Sequence, residues 1–176
     1  MTPNRHGSAV VEFPDELDIL WTREFDAPIE LVFDVLTKPE HVSKWGAYPS
    51  DPMTECSIDL RVGGTYRHSF VTEDGTECSF SGTYLEVEPP VRTVETWLFE
   101  GWPDAEAVET WQLHETGGAT TVTMRLAFRD KTGRDHYPAR RENAGEMTMS
   151  DGPQDSFDAM EDILRSLLDP QETVSE

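Results

Sequence analysis

The sequence has little cysteine, little lysine and no long apolar run, and each shortage excludes a class of protein. Two cysteines, Cys56 and Cys78, with no CxxC spacing and no third partner, build neither a disulfide framework nor a zinc site. Both are expected to be buried or half-buried thiols. No stretch approaches the roughly 20 apolar residues of a membrane-spanning helix. The opening MTPNRHGSAVVEF lacks the apolar core of a signal peptide, so the cytoplasm is the expected address. Only three of the fourteen basic residues are lysines (Lys38, Lys44 and Lys131), and thirty-five acidic residues bring the formal net charge to −21. Such a surface repels phosphate backbones and anionic lipid, which excludes nucleic acid and membrane as expected partners. It suits solubility or a high-salt habitat. There is no glycine-rich phosphate loop, nucleophile elbow or Cys–His pair. The histidines (His6, His41, His68, His114 and His136) form no HxH or HExxH, so no metal and no cofactor is expected.

What is present is enough for one globular domain. The chain is 176 residues long, and 36% hydrophobic and 10% aromatic content can fill a single core. Residues 1–16 lack a sustained period and read as a loose arm. LDILWTREF, from Leu17, reads as a first strand. Asp26 and Pro28 then stand where a helix N-cap and first turn belong, followed by Ile29, Val32, Phe33 and Leu36 on one stripe. Pro39 cannot continue that helix but can open another, which ends at Trp45. Two short helices at an angle follow. Beyond them the period is two. TECSIDLRV, GTYRHSFVT, TECSFSGTYLEV, RTVETWLFE, EAVETWQLHE and TTVTMRLAFR read as six strands separated by strong turn signals such as Asp74-Gly75 and Gly117-Gly118. Residues 130–150 are polar and irregular, with room for a short helical piece. A last helix starts at Gly152-Pro153 and carries Phe157, Met160, Ile163, Leu164, Leu167 and Leu168 on one face; 169–176 is a polar tail. The expected architecture is α+β. Seven antiparallel strands curl around the long C-terminal helix, with two short helices between strands 1 and 2.

That order, with REFDAPIELVFDVLTKPEHVSKW, DLRVGGTYRHSF, GTYLEVEPPVRTVETW, GGATTVTMRL and SFDAMEDILRSLL in register, resembles the START-like (SRPBCC, Bet v 1-like) helix-grip superfamily. Within it the chain is similar to proteins like the activator of Hsp90 ATPase homologue 1. The resemblance spans residues 17–168 and implies a broken helix pair lying at the mouth of the sheet, its terminal Trp45 packed toward the interior. The break would let the chain turn around a cavity instead of sealing it. An Hsp90-type chaperone is the partner the family name implies. Thr93 stands where many relatives have an apolar residue, which means a different strand phase or a polar pocket lining.

In such a scaffold Trp45, Tyr66, Phe70, Phe80, Trp97, Trp111, Phe157, Met124 and Met160 could line an apolar cavity, though any one of them is ordinary core material. His68 shares a strand face with Tyr66 and Phe70. Its ordinary reading is a hydrogen-bonded core histidine; its functional one is a lone polar group that orients a ligand. Glu95 and Glu109 each open an ETW triplet. A heavily acidic chain makes solvent-facing glutamates the ordinary reading. Yet each shares parity with its tryptophan, so burial of Trp97 and Trp111 would turn both carboxylates inward as a pair with a raised pKa. The expected function is capture of a small hydrophobic or aromatic ligand by a monomer or homodimer, without catalysis. The alternatives are a cyclase- or hydrolase-like enzyme using His68 or a buried glutamate, and a cochaperone-like interaction domain.

Overall fold

The computed structural model describes residues 4–46, 52–137 and 152–169. In chain order the elements are β1 (Val10–Glu12), β2 (Asp18–Phe25), α1 (Ile29–Thr37), α2 (Pro39–Trp45), β3 (Met53–Ile58), β4 (Thr65–Val71) and β5 (Glu77–Glu88). They continue with β6 (Arg92–Phe99), β7 (Ala107–Thr116), β8 (Ala119–Phe128), α3 (Lys131–His136) and α4 (Gly152–Leu168). The strands form one antiparallel sheet in the order β1-β2-β8-β7-β6-β5-β4-β3. Hairpins join β3 through β8 in sequence, and the two short helices carry the chain from β2 across to β3. This is the expected α+β helix-grip architecture with one correction. The sheet has eight strands rather than seven, because Val10–Glu12 pairs with Leu20–Thr22. Three residues are too few for an alternation to be visible. The segment before β1 is also tied down: backbone N–H groups of Arg5, Gly7 and Ala9 donate to Glu161, Asp158 and Gln154 of α4. The expected polar tail, apart from Asp169, and the irregular region beyond Tyr137 lie outside the described residues.

The helix break forms as its residues dictate. Lys38 is extended between the two helices (φ −80°, ψ 130°), and Pro39 occupies the first turn of α2, where no N–H is needed. The Trp45 indole N–H donates to Val35 O at 2.8 Å, fastening the end of α2 to α1. Asp26 is not the cap expected of it. Pro28 is the N-cap and supplies no side-chain bond, the Ile29 N–H donates to Glu115, and Asp26 instead receives the Arg5 guanidinium.

Alternation puts Ile19, Trp21, Arg23 and Phe25 of β2, Leu113 of β7, and Val122, Met124, Leu126 and Phe128 of β8 on the buried face. α4 crosses that face with Phe157, Met160 and Leu164 buried. Its apolar stripe ends sooner than the sequence suggests: Leu167 and Leu168 are exposed, since the helix runs past the sheet. Arg23 lies fully buried beneath the helix, and its guanidinium is gripped by Asp158 and Glu161. Burial of Phe157, Met160 and Leu164, at about 1.5–3 kcal/mol each, together with this ion triad, fixes the helix to one half of the sheet.

Over the other half the sheet bends away. The β5–β6 ladder runs to Ser81↔Leu98 and resumes at Tyr84↔Glu95, with a bulge between Tyr84 and Glu86. Within the gap the Thr83 N–H donates to the Thr96 hydroxyl. Gly82 passes so close to β6 that a Cβ there would lie 1.8 Å from Thr96 O. Only glycine permits this approach. The bend keeps β4 and β5 from collapsing onto α4, and a cavity opens between them.

Candidate functional site

The cavity measures about 460 Å³ and is bounded by the inner face of β4–β8, by α2 and by the first turns of α4. Nine of the ten side chains singled out from the sequence stand on its wall: Trp45, Tyr66, His68, Phe70, Phe80, Trp97, Trp111, Met124 and Phe157. Met160 does not. It is fully buried in the core, one helical turn deeper than Phe157. Trp45 meets Trp111 edge-on with ring centroids 6.1 Å apart, and Trp111 meets Phe157 in the same way at 6.1 Å. This row joins the broken helix pair, the sheet and the last helix along one side of the cavity. Phe70, Phe80 and Trp97 make a second row, with centroids 6.1 and 5.6 Å apart. Tyr84, Phe99, Trp102 and Tyr137 also contribute and were not anticipated. Tyr84 shares parity with Phe80 along β5, a signal obscured by the glycine between them.

The polar lining is where the sequence reading needs most correction. Glu95 and Glu109 do not face solvent; they are 6% and 9% exposed. They are direct partners across the β6–β7 ladder, and both line the cavity. Their shared parity with Trp97 and Trp111 decides their direction, and the acidic composition of the whole chain misleads. Thr93, two residues before Glu95, is buried on the same wall, so the phase is ordinary and the lining is polar there.

Burial raises both carboxyls. Glu95 is pushed well above the usual range by desolvation and then by the neighbouring Glu109 carboxylate, with a Thr93 hydrogen bond opposing. Desolvation pushes Glu109 up to about 7, against a hydrogen bond from the Trp111 indole N–H to its Oε1 at 2.6 Å. Glu95 Oε2 is buried with no hydrogen-bond partner among the described residues. The phenols of Tyr66 and Tyr84 feel the same pair: burial raises both pKa values, and the two carboxylates raise them further.

His68 packs against Tyr66 with the rings tilted by 40° and their centroids 5.1 Å apart, and desolvation lowers its pKa to about 4. It is therefore neutral at physiological pH. Its Nε2 is buried without a partner among the described residues, which distinguishes it from a satisfied core histidine. Lys44 and Asp155 are the solvent-exposed charged members of the lining. The site thus has aromatic walls, one carboxyl pair and one neutral imidazole with hydrogen-bonding capacity unused.

Comparison with known proteins gives the class. Residues 26–165 match the family described as Activator of Hsp90 ATPase homolog 1-like protein, and the chain belongs to that family. Among solved structures, a Rhodobacter sphaeroides protein superposes with a TM-score of 0.78 at 23% identity, covering 90% of this chain and 99% of its own. A Nitrosomonas europaea protein gives 0.74 at 24% identity, covering 89% of this chain and 99% of its own. One from Mycobacterium smegmatis gives 0.75 at 20%, covering 89% and 96%. At these identities the likeness establishes the fold alone. No curated protein matches the sequence.

Proposed function

We propose that this protein binds a small, largely hydrophobic or aromatic molecule in the cavity between the sheet and α4, without turning it over. The observation that carries this reading is an aromatic-walled void of about 460 Å³ with few polar groups turned inward. Ligand pockets of about 300–1,000 Å³ share this pattern, in which apolar walls provide affinity and a few polar groups fix orientation. His68 suits the orienting role, since a neutral imidazole nitrogen without a partner can hydrogen-bond a guest at no cost to an existing contact. Titration with a library of aromatic compounds should shift the indole fluorescence of Trp45 and Trp111, and Phe157→Ala should weaken the binding.

The buried glutamate pair supports a second reading, acid–base chemistry on the same scaffold, because a carboxyl kept protonated near neutral pH can act as a general acid. Mass spectrometry of library members after prolonged incubation separates the two. Unchanged compounds support binding alone, whereas a product that Glu109→Gln abolishes would establish an enzyme.

A further inference from the structure

We infer that the Glu95–Glu109 pair is the recognition end of this cavity and that it takes the protonated amine of an aromatic amine. The inference rests on the ligand-binding reading and specifies the class of ligand.

Two acids stand side by side on neighbouring strands with both side chains buried. Burying even one carboxyl without compensation is unfavourable, and ordinary structures offset it with a cation or a full set of donors. Among the described residues, what acts on the pair is burial, the mutual repulsion, the Trp111 indole and the Thr93 hydroxyl, and none of these is a cation. One acceptor, Glu95 Oε2, is left unmade. Among the described residues, the other titratable groups lining the cavity are Tyr66 and His68 on β4, Cys78 and Tyr84 on β5, Lys44 on α2, Tyr137 just after α3 and Asp155 on α4. Of these only Lys44 is cationic at neutral pH, and it is exposed. The Tyr66 hydroxyl is already spent on Thr96 O at 3.0 Å, so that phenol does not serve the carboxyls as a donor.

An ammonium group supplies what is missing. It brings a positive charge to two carboxylates and a donor to Glu95 Oε2, and Tyr66, Tyr84 and Trp111 on the same lining offer aromatic rings for cation–π attraction. The rest of the ligand would lie along the aromatic rows. The net charge of −21 draws organic cations toward the protein and holds anions off.

The test uses matched probes: 1-naphthalenemethylamine, 1-naphthalenemethanol and 1-naphthoic acid, titrated calorimetrically into the full-length protein at pH 6 in two buffers of different ionisation enthalpy. The amine should bind on the order of tenfold or more tighter than the alcohol, and the acid weakest. Amine binding should release protons from the pair, seen as a buffer-dependent heat, and alcohol binding should release none. Glu95→Gln, nearly the same shape, should erase most of the amine preference while the alcohol still binds. Equal or tighter binding of the alcohol, or amine binding without proton release, would overturn the amine assignment and leave the cavity function standing. Failure of all three probes to bind would refute both.

Discussion

Glu95 of β6 and Glu109 of β7 are Cα partners across one antiparallel ladder, and both carboxyls point into the same cavity wall. This relationship has a thermodynamic signature. An acid whose folded pKa lies above its unfolded value of 4.5 is stabilising in its protonated form. Its contribution is complete below that value and is lost as pH rises through the folded pKa. Between about pH 5 and pH 8 the wild type should therefore lose stability relative to Glu109→Gln, on the order of 2–3 kcal/mol. Urea denaturation of both proteins across that range checks the sign. A difference that stays constant with pH would show that Glu109 is not held protonated.

The C-terminal helix should be clamped as far as Leu164, in its fourth turn, and not beyond it. Leu164→Ala should cost about 2–5 kcal/mol, since the side chain is 3% exposed. Leu168→Ala, at 51% exposed, should change stability by less than about 0.5 kcal/mol. Comparable losses from the two would mean that the whole apolar stripe is buried.

Arg23→Ala should be among the most damaging single changes, about 3–5 kcal/mol, because it removes the buried cation shared by Asp158 and Glu161 and leaves Glu161 only the more exposed Arg165. Arg23→Met combined with Glu161→Leu should recover much of the loss. A loss with Arg23→Ala below about 1 kcal/mol would show that water screens the triad.

His68 should remain neutral from about pH 5 upward, with a midpoint near 4 set by desolvation. Histidine resonances followed by NMR give that midpoint directly. His68→Ala should reorder the preferences among aromatic ligands while leaving the unfolding midpoint nearly unchanged. A midpoint near the ordinary 6.5 would place the imidazole in water.

The fold was legible because its signals are periodic. Alternation located the seven strands from Asp18 to Phe128, and Pro39 located the break between α1 and α2. β1 escaped because three residues carry no period, and the reach of α4 escaped because an apolar stripe does not show where the opposing sheet ends. The aromatic wall was legible for the same reason as the strands: Tyr66, His68 and Phe70 alternate along β4. The carboxyl pair was visible only as a conflict between parity, which turned Glu95 and Glu109 inward with their tryptophans, and composition, which favoured an acidic surface. Parity is a local geometric constraint and composition a global average, so parity decides. The buried Arg23 gave no such warning. Its partners on α4 are 135 and 138 residues away in the chain.

The cavity account is tested most directly by intermolecular NOEs from a bound neutral probe, 1-naphthalenemethanol, to assigned side chains of the protein. Saturable binding with NOEs to Trp45, His68, Phe70 and Phe157, lost when the cavity is filled by Ala159→Phe on the α4 side of its lining, is the predicted result. Absence of saturable binding, or NOEs confined to outer-face side chains such as Val71 and Leu85, would contradict it.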